Sequence, residues 1–456
     1  LHSREQHRRT APLRPLLAKE LREVAGGRAL WIMLLLTCPL VGYSFFQAVS
    51  LYAEASLAGQ QSPVLAGSLS PLDGVLVPTF GALYVCVTLL FPFVAIRAVS
   101  HEKETGALSL LVQLPYASPG LVLAKLAAVM AAWLLVSIPA LSALVVWITL
   151  GGHLSAAETF NLLLGHLLYG VLVGAVALFA ASIAEGAATA AILTLAFTIG
   201  SWVLDFTIAG RPGLFDWVAR LSLTQALRGF EQGLFSAGIA LGMAAAAAGF
   251  AGLACIWLRP GVVMRVRLVR SAACTLAAAI VIGAATQVRW SADVSEDRRN
   301  SFAAADQRAL ASLAAPLTIT VHLTPEDPRF TDLNRNVLAK LERAMPHATV
   351  QLAGGAGERD PRYGEVEYVY GGRSDMSRST SPREVLPLLY VLAGVAPPPA
   401  APGGDYPGYP LVARGDLALV WFLGVLPLLI AFAWGWSRRP PSLDRLLTKE
   451  VRHATG

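Results

Sequence analysis

LAAVMAAWLLVSIPALSALVVWITLGG, residues 126–152, runs for 27 residues without a charged side chain. A helix rises about 1.5 Å per residue, so roughly 20 apolar residues cross a bilayer core, and this stretch exceeds that length. Seven more runs of the same kind lie on either side, at 29–53, 74–96, 159–184, 186–204, 232–258, 271–288 and 417–437. Unpaired backbone groups cost several kcal/mol in hydrocarbon, so such runs fold as helices. The expected fold class is an α-helical polytopic membrane protein of about eight transmembrane helices.

Composition agrees. Of 456 residues, 55% are hydrophobic and 14% charged, against about 25% charged in an ordinary soluble domain. The net charge of +6 could suggest nucleic acid, but the arginines sit at the edges of apolar runs and not along one amphipathic face. Cys38, Cys86, Cys255 and Cys274 all lie inside apolar runs, which gives neither a disulfide framework nor a paired-cysteine metal site. The first apolar run begins about thirty residues in and is followed by the others, a pattern that fits a first span better than a cleaved signal peptide.

Lys and Arg in short loops set orientation. The segment 1–28 carries seven, the loop 259–270 four, and the tail after 437 five, whereas the loops 54–73 and 151–158 carry none. With eight crossings, the basic segments share one face when both termini are cytoplasmic. The tightest point is the turn at Glu185 and Gly186, which alone separates two spans. The organisation that follows is an interfacial helix within 1–28, six spans in 29–260, a basic loop and seventh span in 261–289, a polar domain in 290–395, a linker in 396–415, the eighth span in 416–437 and a basic tail in 438–456.

The polar domain falls outside the cytoplasm. Its alternation at 317–323 (LTITVHL) predicts a strand, 331–345 a Thr-capped helix, 348–352 a strand, and 364–379 a hairpin. A closing helix is expected over 382–394, with Ser381 as N-cap, Pro382 at the first position and Glu384 at the third. Gly354, Gly355 and Gly357 predict a loop. The order β-α-β-β-β-α resembles a reduced thioredoxin-like core without redox cysteines. The run 396–410 (APPPAAPGGDYPGYP) reads as a linker back to the last span.

Two stretches could touch a partner. PLRPLLAKELREV places Leu13, Leu16, Leu17, Leu21 and Val24 on one helical face, which predicts a helix lying in the cytoplasmic interface; a plain extension of the first span is the alternative. After the second span, Glu102, Lys103 and Glu104 form a charged knuckle, Leu108, Leu110, Leu111 and Leu114 an apolar stripe, and Pro115 and Pro119 close the segment. This predicts a short amphipathic helix with its charged end exposed, or else flanking charge that caps two helices.

The run EKETGALSLLVQLP, 102–115, resembles the charged Glu-x-Glu-x-Gly-x-Leu signature of type-2 ABC transporter permeases, in particular the gliding-motility and copper-processing ones. The likeness covers roughly residues 13–260. LSLTQALRGFEQGLFS, 221–236, resembles that family's external re-entrant region, while 205–220 matches weakly. The resemblance implies that Glu102, Glu104 and Gly106, with Lys103, Leu110 and Pro115 of the same segment, sit where the permease meets its ATPase. It also implies an external gate around Asp205, Arg228 and Glu231. WSADVSEDRRNSFAAADQRALASLAAPLTITVHLT resembles the start of gliding-motility auxiliary proteins, with an Asp-x-Ser opening, so the chain looks like a permease–auxiliary fusion.

No phosphate-cradling Gly-x-x-x-x-Gly-Lys-Ser/Thr occurs; ATP hydrolysis is expected in a separate ATPase subunit, and no cofactor is expected here. His153, His166, His322 and His347 lack metal-ligand spacing. Glu185 and Asp205 alone approach the status of buried charges within spans, both at span ends, and Asp205 could pair with Arg211. So little buried charge disfavours an ion-coupled transporter. The function expected is the permease subunit of an ABC-type exporter in the bacterial inner membrane, as a homodimer or beside a second permease, with envelope proteins as further partners of the outer domain. The alternative is a membrane anchor that works through 290–395 and moves no cargo.

Overall fold

The computed structural model of the chain describes residues 13–114, 116–208, 222–259, 261–325, 327–345, 347–353, 361–399 and 406–438, apart from the side chains of 63, 64 and 204–208. Helices α1 (Leu13–Gly26), α2 (Arg28–Gly59), α3 (Leu72–Glu104), α4 (Ala107–Gln113), α5 (Ser118–Thr149), α6 (Ala156–Ile183), α7 (Ala187–Ile208) and α8 (Leu223–Glu231) follow one another. Strand β1 (Leu234–Ser236), α9 (Ala237–Trp257) and α10 (Met264–Ala285) complete the first part of the chain. Seven helices among the described residues are long and apolar enough to cross a bilayer: α2, α3, α5, α6, α9, α10 and the last, Asp416–Ser437. The eighth expected run lies in α7, whose apolar part Ala187–Val203 is shorter. Proline sets the breaks: α3 is interrupted at Leu90 before Pro92, and α5 at Ser137 before Pro139, where the ring removes an N–H from the helical ladder.

Helix α6 is the centre of the bundle and packs on α3, α5, α7, α8 and α9. Without a hydrophobic driving force between helices in lipid, close approach of backbones does the work. At Gly170 an added Cβ would lie 2.3 Å from the indole Nε1 of Trp133, and at Gly165 2.5 Å from Cβ of Phe230. Helix α10 leans mainly on α9, and its Leu276 and Ile280 face outward as lipid-facing residues do.

After the spans, strand β2 (Ser291–Asp293) pairs antiparallel with β1. Then come α11 (Ala304–Ala311), β3 (Leu317–Val321), α12 (328–344), β4 (Ala348–Leu352), β5 (Val366–Tyr370), β6 (Arg373–Ser377) and α13 (Pro382–Ala393). The sheet order is β4-β3-β5-β6, with β3 and β4 parallel and the other pairs antiparallel. This is the β-α-β-β-β-α order read from the alternation. Leu317, Ile319, Val321, Val366 and Tyr368 point to one face and pack under α12 and α13. Gly371 and Gly372 both take positive φ, 57° and 83°, which the two-residue β5–β6 turn demands. Ser381 caps α13 as expected, accepting from Arg383 N at 3.3 Å. Helix α12 starts earlier than its sequence reading: Asp327, not Thr331, is the cap, and it accepts from Arg329 N at 2.9 Å. The glycine loop expected at 354–357 lies outside the described residues.

The Asp-x-Ser opening of this unit is a structural knot. Asp293 accepts from the backbone N–H of Ser295 and Asn300, both at 3.1 Å, from the hydroxyl of Ser301 at 2.7 Å, and from the Ser295 hydroxyl and the Asn300 amide. The last helix, α14 (Asp416–Ser437), returns to the bundle and packs on α2. A Cβ at Gly42 would stand 2.2 Å from Cβ of Phe422. Gly42→Val is therefore expected to push α14 off α2 and to destabilise the protein by about 1–3 kcal/mol. Thermal unfolding in detergent checks this, and an unchanged midpoint would mean that the contact carries no weight.

Candidate functional site

At the end of the bundle that carries α1, five charged side chains meet. Lys125, near the start of α5, is fully buried; Glu20 of α1 is 1% exposed and Glu102, at the end of α3, 2%. Lys125 Nζ donates to both oxygens of Glu20 at 3.0 Å and to the carbonyl of Ala98 at 2.7 Å, and lies 2.6 Å from Glu102 Oε2. The last contact is ionic and lacks hydrogen-bond alignment. Lys19 closes the cluster against Glu102, against Glu20 at 3.3 Å and against Glu23 at 3.1 Å. Burial pulls the Lys19 ammonium down, but the carboxylates of Glu102 and Glu20 outweigh it and hold it above its usual range. Burial pushes the Glu20 carboxyl up, against the pull of Lys125.

The cluster forms because three helices each bring the hydrophilic part of an apolar face to one point. In α1, Leu16 packs against Leu121 and Ala124 of α5, which turns Glu20, one turn later, onto Lys125. The carboxylates of Glu20, Glu23 and Glu102 come within 4.8 Å of one another, the spacing of a cation site. The places a cation would take are filled by the ammonium groups of Lys19 and Lys125.

This corrects the expectation of an exposed knuckle at 102–104. Glu102 is buried against the amino groups of Lys19 and Lys125. Lys103 is half-buried and donates to the carbonyls of Ala181, Ser182 and Ala184 at 2.7, 2.8 and 2.9 Å, closing the end of α6. Glu104 and Gly106 are exposed, and Gly106 takes φ 75° at the bend into α4. Helix α4 then projects Leu110, 66% exposed, and leads to the exposed Leu114. Pro115 lies outside the described residues.

The other end of the bundle joins the α/β unit, so the 102–104 segment and that unit lie at opposite ends of the 33-residue α3. Arg299 pairs with Asp73 at the start of α3 and with Asp297 at 2.8 Å. Glu158 of α6 accepts from Glu296 N at 2.8 Å, and the Glu296 carboxylate grips His153 Nε2 at 2.9 Å. The His153 ring stacks on Tyr409 at 3.6 Å. Tyr409 N donates to Leu69 O at 3.1 Å and its carbonyl accepts from the Tyr52 hydroxyl at 2.7 Å. Residues 406–411 of the expected linker are thus seated on the bundle.

Of the three residues expected at an external gate, Glu231 ends α8 and lies 3.3 Å from His166 Nε2 inside the bundle. Arg228 is exposed on α8. The side chain of Asp205, like Arg211, lies outside the described residues. The spans therefore hold more buried ionisable groups than their sequence suggested: Glu102, Lys125, Glu158 and His166. Lys125 and Glu158 sat at the margins of charge-free windows, Glu102 lay past Arg97, and His166 carried no spacing signal.

Comparison of the chain with protein families, with curated proteins and with solved structures gives no match. The geometry supplies no nucleophile–base pair in this cluster; its chemistry is that of an ionic bolt, which fastens α1 to the ends of α3 and α5. Removing one partner of a buried ion pair leaves an uncompensated charge at a cost of about 3–5 kcal/mol. Lys125→Met is expected to lose that much in detergent unfolding, and adding Glu20→Gln to recover part of it. A Lys125→Met protein as stable as the parent would remove the bolt from any structural role.

Proposed function

We propose that this chain is the membrane-spanning permease subunit of an ABC-type exporter, driven by a separate ATPase subunit. The observation that supports the reading best is the ionic bolt next to α4, a helix packed on the bundle through Leu108, Leu111 and Val112 that turns Leu110 outward. A force on α4 passes directly into α3, and through Lys125 with Glu20 and Glu102 into α5 and α1. A permease that must convert a partner's ATP-driven closure into helix movement needs such a stiff link, since loosely attached loops would absorb the displacement. The docking surface is the tip formed by Gly106, Leu110 and Leu114, with Glu104 at its margin, while Glu102 and Lys103 serve beneath it as fasteners.

In this reading the α1 end is cytoplasmic in a bacterial inner membrane, both termini lie on that side, and the α/β unit faces outward. That unit is a reduced thioredoxin-like module of the auxiliary kind, able to handle cargo or meet envelope proteins. Two copies, or one copy and a second permease, line the path. The sequence has no phosphate cradle, so the energy comes from the partner. The seating of the α/β unit through Arg299 and Glu296, and of the following linker through Tyr409, also suits a membrane anchor that transports nothing.

Leu110 is exposed and apolar, so Leu110→Glu leaves the fold intact while placing charge on the docking tip. It is expected to abolish co-purification of ATP-hydrolysing activity with the tagged protein from native membranes, and a labelled reporter near residue 110 should be protected by the partner in the parent only. Retention of the ATPase at the parent level would overturn the docking surface. Absence of ATPase from the parent as well would favour the anchor.

A further inference from the structure

Beside the bolt, on the outer wall of the same end, lies an open groove of about 160 Å³. Ala29 of α2 and Ala187 of α7 form its flanks, and Phe93, Arg97, His101 and Glu104 of α3 its floor. The four floor residues recur at four-, four- and three-residue intervals, so they form one stripe along α3. Phe93 is half exposed and looks toward the hydrocarbon, Arg97 and His101 come next, and Glu104 ends the stripe at the rim of the bundle.

The described lysines of this end are committed: Lys19 and Lys125 to carboxylates, Lys103 to three carbonyls. The side chains of Arg97, His101 and Glu104, by contrast, make no ion pair or hydrogen bond with any described residue, and Arg97 and Glu104 do not reach each other. Their Cα atoms stand about 10 Å apart along the helix. Among the described residues, a cation and an anion without ionic partners therefore face the same groove with room between them. The first turns of α2 and α7 border it as well, and their dipoles add a positive field at its inner part.

We infer that this groove holds the headgroup of a phosphatidylethanolamine-class phospholipid, with its phosphate on Arg97 and His101 and its primary ammonium on Glu104. The order along the stripe (apolar ring, cation, carboxylate) matches the order of acyl chain, phosphate and ammonium along such a lipid. An anionic glycerol headgroup would offer phosphate to Arg97 but only hydroxyls, and no cation, to Glu104. A choline headgroup has no N–H to donate to Glu104 and is bulkier in a small groove. The assignment rests on the membrane placement of the spans and not on the exporter reading.

The test uses the full chain in mixed micelles containing equal amounts of phosphatidylethanolamine, phosphatidylcholine and phosphatidylglycerol, with retained lipid read by native mass spectrometry. The parent is expected to retain the ethanolamine lipid at least tenfold over the other two. Arg97→Gln should reduce that retention at least tenfold. Glu104→Gln should keep phosphate-bearing lipid but lose the preference between ethanolamine and glycerol headgroups. Both side chains are exposed, so the variants are expected to remain folded, and the unfolding midpoint is measured alongside. Equal retention of all three lipids by the parent, or unchanged retention by Arg97→Gln, overturns the assignment. Full displacement by millimolar phosphoethanolamine without acyl chains also overturns it, since the groove would then be a site for a soluble phosphate ester.

Discussion

A lysine ammonium buried between two carboxylates, Lys125 with Glu20 and Glu102, is the constraint on which one whole end of this protein depends. Charges this deep at the margin of hydrocarbon persist only when paired. Because the two carboxylates come from α1 and α3 and the ammonium from α5, neutralisation is possible only when all three helices are in place. Helix α1 thus cannot drift in the interface as a free amphipathic segment would. The direction in which α4 projects is set by the same arrangement, since Glu102 lies two residues before the end of α3.

The opposite end obeys the same rule with different chemistry. Arg299 and Glu296 of the α/β unit find their partners on the bundle: Asp73 for the Arg299 guanidinium, His153 for the Glu296 carboxylate and the accepting Glu158 carboxylate for the Glu296 N–H. Helix α3 takes part in both assemblies, through Asp73 at one end and Glu102 at the other, but it is broken at Leu90 before Pro92. The two ends are each rigid, and the helix that joins them has a built-in point of compliance between.

Much of this architecture was legible in the residues. Charge-free windows located the spans, and alternation with a Ser-Pro-x-Glu cap gave the strand and helix order of the α/β unit nearly to its boundaries. The ionic bolt was not legible, for a physical reason. A window that stops at the first charged residue treats Glu102 and Lys125 as flanking charge, although their helices carry them on into the packed end. Nothing local marks Lys19, 83 positions from Glu102, as its partner. The cap of α12 was misplaced because Thr331 and Asp327 both satisfy the capping pattern, and only the tertiary path of the chain selects Asp327. The Asp-x-Ser opening was visible as a motif, but its use as a hydrogen-bond knot on Asp293 depends on Asn300 and Ser301, which no short pattern includes.

The ribbon formed by β1 and β2 has a mechanical meaning of its own. Its ladder of three residue pairs, Leu234 with Asp293 through Ser236 with Ser291, joins the beginning of α9 to the chain leaving α10. Axial slippage of one helix past the other would shear those rungs, whereas a change in the angle between the helices leaves them intact. The pair is restricted to scissoring about its outer tip.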